Sequence, residues 1–430
     1  MKRMVFLYLI LSNAALFAQS YTSYFTGNAT DIVTNPSGGI CMMGGATEHD
    51  EAMKWFLQNS NGGDILVLRA TGSNGYNTYL YSDLGIPVNS VETIVFNNAG
   101  AANDPYVQQK VAQAEAIWFA GGDQWDYITY WRNTPIDSII NEGLLNRHIV
   151  IGGTSAGMAI QGKFYFSAAN GSVTTAQALA NPYHVRMTVD SLAFLKNKFM
   201  EEVITDTHYD NPDRKGRHVA FLARIFKDWG IGAKGIACDE YTAVCIDTSG
   251  IAHCYGDYPA YDEDIYFLQT NCDLSTPEPE NCTAGTSLNW NRGTEAVKVY
   301  RVKGTQAGNN TFSMVDWNTG VGGTWEHWYV NNGSFQVSTG TPPNCAPVSL
   351  EENTKEAYSI YPNPVTNGIV TISGGKEKIT GISVYDSNGK LVKSFDGKQA
   401  AIDISDLRAG LYLIRVLAGD GIAQYKIVKN

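Results

Sequence analysis

The chain is 430 residues long, 44% hydrophobic and 17% charged, which sets aside wholesale disorder and suggests about two or three domains. Its formal charge is -11 and no local basic patch offsets it, so a phosphate backbone is a poor partner and nucleic acid is excluded. Seven cysteines in a chain of this size do not make a disulfide scaffold.

Lys2 and Arg3 precede an apolar run at residues 5–11 and a small, apolar stretch at 14–18. This is the pattern of a secretory signal peptide over residues 1–18, cleaved after Ala18. The run is too short to span a bilayer, and no later stretch approaches that length, so an integral membrane protein is not expected. Export permits disulfides. Cys272 and Cys282 share a Pro- and Glu-rich loop and are the expected bridge, whereas Cys41 sits in an apolar run and is expected to stay unpaired.

Residues 39–43 read as a strand, and Ala52, Met53, Trp55, Phe56 and Leu57 follow with helical spacing. Residues 64–70 (DILVLRA), 93–96 and 116–120 (AIWFA) read as strands, with a helix at 105–114 between the last two. Helices are expected at 124–131 and 137–146, and a strand at 148–151. This alternation predicts an α/β domain, an open and mostly parallel sheet flanked by helices on both faces. Ligands in such sheets sit beyond the carboxyl ends of the strands.

After residues 243–246 the rhythm is lost. From about 250 the chain is rich in Gly, Asn, Thr, Tyr and Trp, and reads as a β-rich extension completing one domain over 19–340. Residues 341–354 (TPPNCAPVSLEENT) read as a linker. Residues 355–430 alternate with period two, carry a hairpin signal at Asn388-Gly389 and show no helical period, which predicts an all-β sandwich.

Residues 148–151 run into Gly152-Gly153-Thr154-Ser155-Ala156-Gly157, which contains G-x-S-x-G. A buried strand before it and a helix-forming stretch after it suit a strained strand-to-helix turn that projects Ser155, with the Ala156 N–H where an oxyanion would form. A serine nucleophile needs a base. Among seven histidines His208 stands out, because Val203 to His208 reads as a strand ending at the same crevice. Glu240, after the strand-like Gly235-Ile236-Ala237-Cys238, would orient that base; Asp206, two residues before His208, is its rival. The order Ser, His, acid departs from the α/β-hydrolases, where the acid comes second. Gly121-Gly122-Asp123-Gln124 follows AIWFA and offers bare backbone donors.

Residues 38–250 resemble the serine peptidase family of cyanophycinase and aspartyl dipeptidase, which has a class I glutamine-amidotransferase-like fold. The matching residues are Gly44-Gly45 with Glu48 and Asp50, Gly121-Gly122-Asp123-Gln124, Gly153-Thr154-Ser155-Ala156-Gly157, Asp206-Thr207-His208, Arg214 with Gly216-Arg217, and Asp239-Glu240. The resemblance implies Ser155 as nucleophile, His208 as base, Glu240 as its orienting acid, and Gly122 with Ala156 as oxyanion hole. It implies that Gln124, Asp206, Arg214 and Arg217 hold an aspartyl peptide or cyanophycin-like substrate. No cofactor is expected, and no metal either, since the sequence has no H-E-x-x-H or C-x-x-C and Glu326-His327 is isolated. Thr207 departs from the glutamine of cyanophycinases, and Asn211-Pro212-Asp213 alters the loop that follows.

The tail resembles the C-terminal sorting domain of type IX secretion. The matching residues are Tyr361-Pro362-Asn363-Pro364, Asp406-Leu407, Gly410-Leu411-Tyr412 and Lys426-Ile427-Val428-Lys429. That implies a partner in the type IX machinery, and a protein that is secreted or attached to the cell surface. A homodimer stays open. The alternative to an enzyme is a non-catalytic secreted binding protein on the same fold.

Overall fold

The computed structural model describes residues 19–344 and 358–430, apart from 375–377, 387–389, 398, 400, 419 and 420. The expected signal peptide, most of the expected linker and the Asn388-Gly389 turn lie outside the described residues. The chain divides into two compact units, Met1–Asn344 and Cys345–Asn430.

The first six strands of the first unit are β1 (Tyr21–Gly27), β2 (Ile40–Met43), β3 (Asp64–Arg69), β4 (Ser90–Phe96), β5 (Ala116–Phe119) and β6 (Val150–Thr154). β4, β3, β5, β6 and β2 pair in parallel in that order, and β1 covers the outer edge of β4 antiparallel. Nearly every residue of these parallel strands is buried, because helices cover both faces. Between the strands run α1 (Asp50–Asn59), α2 (Gly75–Thr78), α3 (Pro105–Gln113), α4 (Gln124–Trp131) and α5 (Pro135–Glu142). Local chemistry sets their starts. Asp104 accepts from the Tyr106 N–H ahead of Pro105, and Asp123 accepts from the Trp125 N–H. The strand expected at 148–151 begins later, at Val150, because His148 takes a left-handed conformation (φ 55°) that ends the preceding helical turn.

Beyond β6 come α6 (Ala156–Ala159), the two-stranded ribbon β7 (Tyr165–Phe166) and β8 (Val189–Asp190), and α7 (Thr175–Ala180) between them. Next are β9 (Val203–Asp206), α8 (Lys215–Trp229), β10 (Lys234–Cys238), β11 (Ala243–Ile246), β12 (Ile251–Tyr255) and β13 (Asp264–Thr270). β14 (Val297–Lys303), β15 (Asn310–Ser313), β16 (Gly320–Val321), β17 (Gly323–Asn331) and β18 (Ser334–Thr339) complete the unit. Here the single open sheet of the sequence reading becomes two. One has the order β1-β4-β3-β5-β6-β2-β11-β12-β15-β16, the other β18-β17-β14-β13-β10-β9. The strand leading to His208 (β9) and the strand before Glu240 (β10) belong to the second sheet, paired in parallel there. A shared core joins the sheets: Met42, Phe119 and Ile151 of one pack in the same cluster as Ile236, Phe267 and Tyr300 of the other. The β-rich extension therefore supplies strands to both sheets.

Cys272 is disulfide-bonded, yet Cys282 is a free thiol, so the expected bridge between them does not form. Cys282 is instead packed into the second sheet's core with Leu288 and Trp290. Cys41 is a free, buried thiol.

Among the described residues, the regular elements of the C-terminal unit are all strands. They are β19 (Tyr358–Tyr361), β20 (Ile369–Gly374), β21 (Ile379–Asp386), β22 (Leu391–Asp396), β23 (Ala401–Asp403), β24 (Gly410–Ala418) and β25 (Gly421–Lys429). They form two antiparallel sheets, β19-β20-β23 and β22-β21-β24-β25. Alternate residues face inward, so Val370 and Ile372 of one sheet meet Ile382, Val384, Ile414 and Val416 of the other in one core.

Candidate active site

β6 delivers Ser155 at the carboxyl end of the parallel strands. Ser155 holds φ 52° and ψ -114°, outside the regions a serine prefers, and α6 begins at the next residue. Such a conformation costs about 1–3 kcal/mol and persists only when its surroundings enforce it. The enforcement is visible. A Cβ on Gly153 would lie 2.7 Å from the Phe119 carbonyl oxygen, and one on Gly157 only 2.0 Å from it. The glycines let β6 and α6 pass the β5 backbone closely. The Ser155 N–H donates to the Met43 carbonyl (3.1 Å), which ties the turn to the end of β2.

His208 follows β9 and also has positive φ, 47°. Its N–H donates to the Gly44 carbonyl (2.8 Å), just past β2. Gly45 seats the ring, since a Cβ there would come 2.4 Å from the imidazole. Glu240 lies in the turn between β10 and β11. Its N–H donates to Asp210 (2.9 Å), and the Tyr241 N–H donates to the Gly45 carbonyl (3.2 Å). The exit of β2 thus braces all three residues. Thr205 of β9 adds a cross-link, donating to the Met158 carbonyl of α6 at 2.7 Å.

The result is a chain of contacts. His208 Nε2 is 2.8 Å from Ser155 Oγ, and His208 Nδ1 is 2.5 Å from Glu240 Oε1. The His208 and Glu240 side chains are 25% and 17% exposed, so solvent reaches the group from one side. Gly121 and Gly122 border Ser155. A Cβ on Gly121 would touch the Ser155 Cβ at 3.7 Å, and one on Gly122 would strike the Tyr127 hydroxyl at 2.8 Å. That hydroxyl lies 2.9 Å from both the Ala120 and Gly121 carbonyls and fixes the loop. Gln124 opens α4, and its amide donates to the Phe166 carbonyl (3.2 Å).

Asp206 and Arg217 sit differently from their expected place as substrate ligands. Arg217 Nε donates to Asp206 Oδ2 (2.8 Å), Nη2 bonds Oδ1, and both side chains are only 4% exposed. Arg217 also donates to Ser172 Oγ and the Val173 carbonyl. Burial alone would raise the Asp206 pKa; the Arg217 charge and hydrogen bonds outweigh it and hold the carboxyl below its ordinary value. The pair is committed to itself and anchors the end of β9 to α8. This also settles which acid faces His208: it is Glu240. Arg214 differs again. Its Nη1 donates to the Thr207 carbonyl (2.7 Å), while its Nε is buried without a partner. Burial and the neighbouring Arg217 lower its pKa.

Sequence reasoning missed the Met43 and Gly44 carbonyls, Tyr127 and Asp210. Backbone carbonyls carry no side-chain signature, and Asp210 could be suspected only by its nearness to His208. Glu48 and Asp50, noted beside Gly44-Gly45, accept from the hydroxyls of Tyr76 and Tyr79.

Residues 38–252 match the peptidase family S51, and residues 359–430 match a secretion system C-terminal sorting domain. A cyanophycinase of Geminocystis herdmanii is 29% identical over 146 residues, 33% of this chain and 50% of that protein. A cyanophycinase of Trichormus variabilis is 26% identical over 171 residues, 40% of this chain and 51% of that protein. The chain spans about half the length of the curated relatives it matches. Among solved structures, a peptidase from an acI-B1 Actinobacterium covers 65% of this chain and 98% of its own, at TM-score 0.42 and 14% identity. A putative peptidase E protein from Listeria monocytogenes covers 51% and 98%, at TM-score 0.32 and 14% identity. Among the described residues no helix is long and apolar enough to cross a membrane. The sorting domain assigns the chain to type IX secretion, at the cell surface or outside the cell. The chain belongs to peptidase family S51.

Proposed function

We propose that this chain is a serine peptidase of cyanophycinase-like type, which hydrolyses α- or β-linked aspartyl peptides through an acyl-enzyme on Ser155. The observation that carries the reading is the hydrogen-bonded row from Ser155 Oγ through His208 to Glu240 Oε1. With Nδ1–H donated to the carboxylate, Nε2 is left unprotonated toward the serine. It accepts the hydroxyl proton as Oγ attacks the aspartyl carbonyl, and Glu240 stabilises the imidazolium. The imidazolium then protonates the leaving amine, and water attacks the acyl group by the same route reversed.

The tetrahedral oxyanion needs donors already in place. Ala156 is the first residue of α6, where a backbone N–H lacks a helical partner. Gly122 supplies the second N–H from the loop that Tyr127 fixes. One such donor contributes roughly 3 kcal/mol in comparable enzymes. For the substrate carboxylate we assign Arg214, whose buried guanidinium has an unpartnered Nε. Gln124 keeps its carbonyl oxygen free to accept from the substrate amine. Asp206 and Arg217 contribute at one remove, by holding the segment that carries His208.

The test is a panel of α- and β-aspartyl dipeptides together with cyanophycin, run with the wild type and Ser155→Ala, alongside fluorophosphonate labelling. Turnover of an aspartyl member and labelling, both lost in Ser155→Ala, is the expected result. Labelling without aspartyl turnover would refute the specificity and keep the hydrolase. Absence of both in the wild type would favour a binding protein on this fold.

A further inference from the structure

Two thiols face each other across the strands that brace the active site. Cys41 of β2 lies directly opposite Cys245 of β11, and their sulfurs are 3.5 Å apart. The register decides what kind of pair this is. The Gly44 N–H donates to the Thr242 carbonyl (3.0 Å), so Gly44 and Thr242 occupy a hydrogen-bonded position. Positions alternate along an antiparallel ladder. Met42 and Val244 are then hydrogen-bonded, and Cys41 with Cys245 is a non-hydrogen-bonded pair, where opposing Cα atoms approach to about 4.5 Å. A disulfide spans Cα separations of about 4.4–6.8 Å, so this register admits one without moving either strand.

The other buried thiols of these sheets lack that arrangement. Cys254 faces Val244, and Cys238 faces Ile265. The Cys41 and Cys245 sulfurs also point at the Ala52 carbonyl, at 3.7 and 3.9 Å. Ala52 lies inside α1, where its carbonyl keeps its helical donor when the weak S–H contacts are gone.

We propose that Cys41 and Cys245 are joined as a cross-strand disulfide in the exported protein. The compartment supports it, since chains bound for the cell exterior pass through oxidising surroundings. Both thiols are fully buried, so exchange takes place while the chain folds after translocation, before β2 and β11 close over them. One thiolate attacks the disulfide of a thiol–disulfide oxidase and forms a mixed disulfide; the second displaces the oxidase sulfur. The pair gives up two protons and two electrons, and the oxidase leaves as a dithiol. The bridge would fix β2 to β11 immediately before Met43 and Gly44, whose carbonyls hold the Ser155 and His208 N–H groups.

Full-length protein recovered from the exported fraction is unfolded without reductant, alkylated, and mapped by peptide mass spectrometry. Cys41 and Cys245 are expected unalkylated in one linked peptide pair that separates on reduction, while Cys238, Cys254 and Cys282 carry the alkyl group. Quantitative alkylation of both Cys41 and Cys245 overturns the proposal, as does either one linked to another cysteine. Thermal unfolding supplies a second readout: reductive unfolding and refolding lowers the Tm of the wild type by about 5 °C more than that of Cys41→Ala/Cys245→Ala. Equal shifts in the two proteins would count against the bridge.

Discussion

In the unit Met1–Asn344, Ser155 and His208 hold left-handed backbones and Arg217 is buried against Asp206. In the C-terminal unit no described non-glycine residue has positive φ, and Lys393 pairs with an Asp406 whose side chain is 65% exposed. Charge divides the same way: residues 21–350 hold 19 bases against 33 acids, whereas 351–430 hold ten against nine. Strain, buried charge and net acidity collect in the unit that carries the candidate chemistry. The sorting unit consists of antiparallel sheets whose alternate residues fill one core. A site must hold groups in unfavourable states; a recognition surface for export needs only shape and exposed side chains.

Five changes would break or sharpen that contrast. Ser155→Ala is expected to lower kcat on any aspartyl substrate by about 10⁴-fold or more, with unchanged circular dichroism; persistent turnover would move the chemistry elsewhere. Asp206→Ala strands a buried guanidinium and should cost about 3–5 kcal/mol in urea unfolding of the peptidase unit. Asp406→Ala, its counterpart in the tail, should leave the unfolding midpoint of its own unit unmoved. Ile414→Ala removes a fully buried side chain from the tail sandwich, with an expected loss of about 3 kcal/mol in that unit's transition and none in peptidase turnover. A shared effect would show that the two units unfold as one.

The fifth change concerns His218 of α8, whose ring nitrogens are buried without hydrogen-bond partners. Burial lowers its pKa from 6.5 to about 4, against the opposing pull of Asp206. The unfolded ring binds a proton below about 6.5, and the folded ring only near 4. Stability should therefore fall as pH drops through that window, by up to about 3 kcal/mol, and level off below it. His218→Leu is expected to remove this fall in urea midpoints measured between pH 7 and pH 4. An unchanged pH slope would assign the acid sensitivity to other groups.

Much of this was legible because the signals were local. The apolar run before Gly152-Gly153 announced β6, and small residues on both sides of Ser155 marked a turn where backbones crowd. Strand ends at 206 and 238 pointed to His208 and Glu240. What stayed hidden depends on distant geometry. No pattern in Val203 to His208 reports that this strand pairs with β10 at the edge of a second, otherwise antiparallel sheet. Arg217 is an ordinary helix residue until α8 turns it onto Asp206. Cys272 and Cys282 are close in sequence, but the packing of Cys282 with Trp290 decided its fate. The supports of the site are backbone carbonyls, which any residue could supply.

The proposed nucleophile and its proposed base arrive on different sheets. Ser155 ends a strand of the parallel sheet, and His208 follows the edge strand of its neighbour. Their 2.8 Å contact is thus a gauge of how the two sheets are seated. A slip of an ångström at the shared core would leave every strand intact and still part the serine from the imidazole. Catalysis should therefore fade on warming while circular dichroism still reports native strands, because the seating of one sheet on the other can shift before either sheet loses its strands.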